Sequence, residues 1–108
     1  MDLIIESVST DSYFLLTLKG DVDTKTAPTL LEALTQIELH TLPELRIEMG
    51  SVGFLSSAGL RALVFAKQKM PHESRLILVG TSDEIADVIV KTGLTQAVTL
   101  VSDHDSVD

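Results

Sequence analysis

The segment best suited to chemistry spans residues 53–61, where small residues surround two adjacent hydroxyls. Ser56 and Ser57 follow a predicted strand and stand where a helix is predicted to begin, with Ala58 and Gly59 directly after them. The first turn of a helix leaves backbone N–H groups without intrahelical partners and carries partial positive charge. A hydroxyl at this place can therefore cap the helix, or it can accept a phosphate that the helix end tolerates.

The simpler interpretation is that one serine caps the helix and that Gly59 lets the backbone pass close to a neighbouring segment. It leaves the second serine without a role, and glycine in a first helical turn costs roughly 0.5–1 kcal/mol relative to alanine. A phosphate on an exposed serine adds about −1.5 to −2 charge, so the same residues also fit a switch that alters partner binding. Both interpretations stay open at this level.

Three further residues also have alternative interpretations. Arg61 is either a solvated charge or a contact to an acidic patch on a partner. We expect Phe54 to lie in the core rather than to anchor a partner. Asp23 precedes another predicted helix, and aspartate is a favoured N-cap. Asp23 can also lie near Ser57 at the same end of the sheet and contribute to a partner surface.

The sequence offers little for catalysis or for cofactor binding. It contains no Gly-x-Gly-x-x-Gly or Gly-x-x-x-x-Gly-Lys segment and no Gly-x-Ser-x-Gly turn. Cysteine is absent, and the histidines fall in predicted loops or ends without metal-ligand spacing: His40, His72 and His104. We therefore expect no enzyme activity, no metal and no cofactor. A nucleotide phosphate held in the strand–loop–helix crevice is the weaker alternative.

Composition and charge exclude several classes of partner. The 108 residues include 8 Lys or Arg and 16 Asp or Glu, a formal net charge of −8. So few cations do not form the basic face that nucleic acids or anionic membranes require. The 44% apolar content suffices for one core, and no run of about 18 apolar residues could span a membrane. We expect a cytoplasmic protein with one domain, residues 1–101, and an acidic flexible tail, residues 102–108.

Periodicity and turn residues predict a β-β-α-β-α-β-α-β order. Apolar runs bounded by turn residues predict strands at residues 3–5, 13–18, 45–49, 75–79 and 97–101. Apolar residues at helical spacing predict one helix after residues 23–24 that extends toward residue 40, a second from Ser56 or Ser57 to about Met70, and a third from residue 82 with Gly93 as its C-terminal cap. Strands that alternate with helices form mostly parallel sheets covered by those helices. The fold class is therefore α/β, with a mixed, mostly parallel sheet of four to five strands covered by about three to four helices.

Three segments, in order along the chain, resemble STAS domains of the bacterial anti-sigma factor antagonist type. Residues 18–27 are similar to the family's L-x-G-x-L-D-x-x-T-A segment, with valine in place of its second leucine. Residues 45–60 resemble the strand and loop that lead to the family's S-[S/A]-G-L helix start, and residues 92–94 resemble its late T-G-L. The resemblance covers about residues 3–100 and implies a STAS-like fold.

In this family a kinase that is also an anti-sigma factor phosphorylates a serine at the start of the helix after the third strand. The unphosphorylated antagonist binds that kinase and frees the sigma factor. For this chain the resemblance implies Ser57 as the phosphoacceptor, with Ser56, which stands where many members have aspartate, as the second candidate. It further implies a PP2C-type phosphatase as a partner. We expect the free form to be monomeric, because the sequence leaves no uninterrupted apolar helix face uncovered. The implied partner surface comprises Asp23, Ser56, Ser57, Ala58, Gly59 and Arg61.

The alternative within the same fold is a STAS domain that does not switch. Such a domain would be a scaffold subunit of a stress-signalling or transport-associated complex, and the serines would serve only as helix caps.

Overall fold

The computed structural model describes residues 3–102, which form five strands and three α-helices. The strands are β1 (Ile4–Ser9), β2 (Phe14–Lys19), β3 (Glu44–Ser51), β4 (Arg75–Val79) and β5 (Thr99–Val101), and the helices are α1 (Ala27–Thr35), α2 (Ser57–Lys69) and α3 (Asp83–Lys91). Short 3-10 turns at Leu39–Thr41 and Leu94–Gln96 follow α1 and α3. The order of elements is the one that the sequence predicts.

The described strands form one sheet in the spatial order β1-β2-β3-β4-β5. β1 and β2 form an antiparallel hairpin, and the three other pairs are parallel. Thr10 closes the hairpin turn, because its hydroxyl donates a hydrogen bond to the Tyr13 carbonyl at 3.0 Å. The expected α/β class with a mixed, mostly parallel sheet is confirmed.

One face of the sheet packs against the helices. Leu16, Ile47 and Leu78 are register partners on adjacent strands, and all three are buried. The charged residues Arg46 and Glu48 alternate with the apolar residues of β3 and lie on the opposite face. The connections β2–β3, β3–β4 and β4–β5 each lead to the next strand on the same side. Because such parallel connections are right-handed, their helices lie on one face of the sheet. The helices join the same core through buried side chains, including Leu30, Leu34, Leu63 and Ile89.

Several elements differ in extent from the sequence prediction. β1 runs to Ser9 instead of residue 5, because the whole strand pairs with β2. β3 continues to Ser51, beyond its predicted end at residue 49, because Ser51 pairs with Lys19 of β2. α1 ends at Thr35, short of residue 40, and a 3-10 turn at Leu39–Thr41 follows it. β5 begins at Thr99 instead of residue 97, after the 3-10 turn at Leu94–Gln96.

Two further expectations concern the C-terminal part. Gly93 follows α3 in the left-handed conformation, with φ at 80°, which confirms its predicted role at the end of that helix. The predicted acidic tail lies outside the described residues, apart from Ser102.

A short parallel bridge ties the loop after β2 to the segment before α2. Val22 donates its N–H to the Phe54 carbonyl at 2.8 Å and accepts a hydrogen bond from the Ser56 N–H at 2.7 Å. Both Val22 and Leu55, the two bridged residues, are buried. Asp23 follows Val22 as Ser56 follows Leu55, so Asp23 and the serines lie at the same end of the sheet, as the sequence predicts.

Gly59 allows α2 to begin directly against this bridge. A Cβ atom added at Gly59 would lie 2.6 Å from Leu55 Cδ1 and 2.7 Å from Val22 Cγ1. Carbon atoms repel one another at such distances, since their optimal separation is about 3.5–4.0 Å. The close approach explains why glycine occupies a helical position at which alanine would otherwise be favoured.

We expect Gly59→Ala to lower the free energy of unfolding by about 1–3 kcal/mol, because overpacking against the bridge outweighs the gain in helix propensity. Urea denaturation measures this change. Gly53→Ala is the matched control, since its added Cβ would approach only the Asp21 carboxylate oxygen, at 3.1 Å, and that side chain can move. A Gly59→Ala variant as stable as the parent would contradict the close approach.

Candidate functional site

Ser56 and Ser57 are adjacent in the chain but differ in their surroundings. Ser56 is the N-cap of α2: its backbone is extended, and its Oγ accepts a hydrogen bond from the Gly59 N–H at 3.1 Å. Ser56 is only 8% exposed. Ser57 is the first helical residue, it is exposed, and its hydroxyl has no hydrogen-bond partner within residues 3–102. The helix cap and the free hydroxyl therefore belong to two different serines.

The residues that follow the serines divide between core and surface. Gly59 is buried against the bridge, so its contribution to this end of α2 is close packing. Ala58 is half-buried and Arg61 is exposed. Arg61 makes no hydrogen bond or ion pair with the part of the chain that the structure describes. Ser57 and Arg61 are thus accessible side chains on the first turns of one helix.

The expectation that Phe54 lies in the core is wrong. Its side chain is 52% exposed, whereas Val52 and Leu55 are 3% and 6% exposed. Leu55 faces inward at its bridge with Val22, and successive side chains of an extended segment point to opposite sides, so the preceding residue faces outward. A largely exposed aromatic ring therefore precedes the two serines.

The expectation that Asp23 is the N-cap of α1 is also wrong, because that position is Thr26. Asp23 instead organises the turn before the helix. Its Oδ1 accepts hydrogen bonds from the backbone N–H groups of Lys25 and Thr26, both at 2.9 Å. The hydrogen bond from the Thr26 N–H is the main cause that lowers the pKa of the Asp23 carboxyl below its ordinary value.

A groove of about 280 Å³ lies between α1 and α2, at the end of α2 that carries the serines. Leu31 of α1 lines it and is 38% exposed. Periodicity predicts an apolar stripe but not which part of it stays uncovered, so the sequence did not indicate the groove. The residues that line it are Thr24, Ala27, Pro28, Leu31, Ala58, Arg61, Ala62 and Phe65.

The described part of the chain contains no cluster suited to a metal ion. His40 and His72 are exposed, and His104 lies outside the described residues. No group of three or more potential ligands occurs within residues 3–102. Over the same residues, every helix is too short or too polar to cross a membrane.

Comparison with known proteins assigns this fold to a family. The family model for the STAS domain matches residues 5–107. Because the match covers nearly the whole chain, the chain belongs to the STAS domain family.

Several similar proteins are anti-sigma factor antagonists. The chain is 31% identical over 100 residues to the anti-sigma-B factor antagonist of Listeria monocytogenes, covering 91% of this chain and 88% of that protein. It is 27% identical over 95 residues to the anti-sigma-B factor antagonist of Staphylococcus aureus, covering 87% and 88%. The crystal structure of an anti-sigma factor antagonist from Mycobacterium paratuberculosis matches with a TM-score of 0.85 and 26% identity, covering 95% of this chain and 88% of that one. The resemblance seen in the sequence is confirmed.

Replacing each serine by alanine should separate the cap from the free hydroxyl. We expect Ser56→Ala to lower the free energy of unfolding by about 1 kcal/mol, because the Gly59 N–H loses its acceptor. We expect Ser57→Ala to change it by less than about 0.5 kcal/mol, because that side chain is exposed. Urea denaturation of the two variants measures the difference. Equal losses, or a larger loss at Ser57, would contradict the assignment of the cap.

The lowered pKa of Asp23 predicts a pH-dependent contribution to stability. The carboxylate stabilises the folded state at pH values above the pKa of the unfolded chain, and this contribution is lost as the pH falls through the lowered pKa of the folded state. We expect Asp23→Asn to be less stable than the parent at neutral pH, by a margin that shrinks below about pH 4. Thermal denaturation across this range measures the margin.

The matched control is Asp11→Asn, at an exposed carboxylate in the hairpin turn with no hydrogen-bond partner within residues 3–102. We expect it to match the parent throughout. A stability margin for Asp23→Asn that does not change with pH would argue against a charged acceptor at this turn.

Proposed function

We propose that this STAS domain is an anti-sigma factor antagonist that works as a phosphorylation switch. In its unphosphorylated form it binds an anti-sigma factor that is also a serine kinase, and so frees a sigma factor to direct transcription. Phosphorylation of Ser57 by that kinase releases the antagonist, and a PP2C-type phosphatase restores it. The protein is a cytoplasmic binding module in this scheme, free as a monomer, and it catalyses no reaction itself.

The observation that carries the proposal is the difference between the two serines. A kinase needs an accessible hydroxyl, and Ser57 is exposed with no hydrogen-bond partner among residues 3–102. Ser56 remains the second candidate, but it is buried and its Oγ caps α2. Phosphorylation of Ser56 would require the loss of that cap, so both accessibility and the integrity of the helix favour Ser57.

A phosphate on Ser57 is compatible with the folded state. It would stand at the first position of α2, where the partial positive charge of the helix N-terminus favours an anion. No packed group has to move to admit it, because the Ser57 side chain is exposed. The modification therefore changes the surface without changing the fold.

The same phosphate opposes a partner that covers this end of α2. It adds about −1.5 to −2 charge to the exposed start of α2, on a surface that binding would remove from water. Burying such a charge is costly unless the partner supplies a matching cation. Asp23, Ala58 and Arg61 complete the proposed surface, and Gly59 supports it by holding α2 against the bridge.

The intact mass of the protein isolated from its own host, with and without phosphatase treatment, tests the modification. We expect a phosphorylated species whose phosphate maps to Ser57. A phosphate on Ser56 would keep the switch and move the acceptor by one residue. No phosphate under any growth condition would favour the non-switching STAS scaffold subunit of a stress-signalling or transport-associated complex.

Binding to the purified anti-sigma factor of the same host, measured by calorimetry, tests the release step. We expect Ser57→Ala to bind like the unphosphorylated parent and Ser57→Asp to bind at least tenfold more weakly, a loss of roughly 1.4 kcal/mol or more. Ser12→Asp is the matched control, since it adds the same charge at an exposed serine in the hairpin turn, at the opposite end of β2. Equal affinities for Ser57→Asp and Ser12→Asp would place Ser57 outside the interface.

A further inference from the structure

The groove between α1 and α2 carries one charged side chain, and this side chain stands one helical turn from Ser57. Arg61 is the only Lys, Arg, Asp or Glu among the described residues that line the groove. It is exposed and makes no ion pair or hydrogen bond within residues 3–102. The largest of the other lining side chains are Leu31 and Phe65, so the surface next to the guanidinium is mostly apolar.

The spacing of Ser57 and Arg61 brings their side chains together on the surface of α2. Residues four apart in an α-helix are neighbours, with Cβ atoms about 5–6 Å apart. A helical side chain leans toward the helix N-terminus, so the side chain of Arg61 extends over the turn that begins at Ser57. Both side chains are exposed, and neither has another polar partner in the described part of the chain.

We propose that Arg61 binds the phosphate on Ser57 within the same helix and so transmits the phosphorylation state to the groove. The planar guanidinium can donate to two phosphate oxygens at once, a geometry that a lysine ammonium cannot match. When Arg61 binds the phosphate, its charge is withdrawn from the edge of the groove. This inference rests on the proposed phosphorylation of Ser57, and it identifies Arg61 as a second residue that responds to the phosphate.

The other charged residues of α2 and of the loop between β2 and α1 do not replace Arg61. The loop between β2 and α1 carries Asp21, Asp23 and Lys25. The two carboxylates repel a phosphate, and the remaining cations of α2 stand in its last turn. Lys25 is therefore the one rival cation on these elements, and it serves as the control in the experiment below.

In the unphosphorylated protein the same guanidinium is available to the partner. A cation at the edge of an apolar groove fits a partner segment that presents an aliphatic or aromatic side chain beside a carboxylate. A phosphate on Ser57 competes with that carboxylate for Arg61. Release then follows from the loss of a favourable contact as well as from the added charge.

Phosphoserine installed at position 57 during synthesis tests the contact without the natural kinase. Phosphorus NMR follows the second ionisation of the phosphate against pH, and a bound guanidinium lowers the midpoint of that titration. We expect Arg61→Gln to raise the midpoint by roughly 0.2–0.7 pH unit, equivalent to an exposed ion pair of about 0.2–1 kcal/mol. Arg61→Lys should retain part of the effect, and Lys25→Gln should leave the midpoint unchanged.

An unchanged midpoint in Arg61→Gln would overturn the inference, as would a larger shift in Lys25→Gln. The measurement of binding to the anti-sigma factor distinguishes failure of this inference from failure of the proposed function. If Ser57→Asp weakens binding to the anti-sigma factor while Arg61→Gln leaves the midpoint unchanged, the switch stands and Arg61 has no part in it. If Arg61→Gln raises the midpoint but phosphoserine leaves binding intact, the contact exists and the proposed release fails.

Discussion

The arrangement of this end of the molecule depends on the two backbone hydrogen bonds that join Val22 to the segment between β3 and α2. They extend the parallel pairing of β2 and β3 beyond the strands themselves. One of them uses the Ser56 N–H, which holds that residue in the extended conformation from which its hydroxyl can cap α2. The bridge also leaves no room for a side chain at Gly59. The place of Ser57 on the surface follows from these constraints.

The fold was largely predictable because its strongest patterns are local. The apolar runs at residues 13–18 and 75–79, bounded by turn residues, indicated the strands β2 and β4. The second half of β1, from Glu6 to Ser9, escaped prediction because it is polar and becomes a strand only through its pairing with β2. The true end of β3 at Ser51 escaped for the same reason, since its partner Lys19 is remote in sequence.

The sequence predicted where the site lies but not the role of each residue in it. The spacing of small residues located the helix start, yet Ser56 and Ser57 are equally good caps by residue type. Only the bridge to Val22 decides between them, and that bridge joins segments more than thirty residues apart. Hydrophobicity alone placed Phe54 in the core, because no local pattern records which way a single loop residue faces. Arg61 gains its significance from the groove beside it, which forms only when α1 and α2 pack together.

The sequential order of the strands bears on how the chain reaches this structure. Every strand pairs with the strand that directly precedes it, so none waits for a partner from the far end of the sequence. Each parallel pairing closes a connection that holds one α-helix, and the entropy cost of closure grows with loop length. The sheet can therefore grow from the hairpin one helix and one strand at a time, in the order in which a ribosome delivers them. In that order β5, the shortest strand, is the last to join, and the sheet is complete only once residues 99–101 have been synthesised.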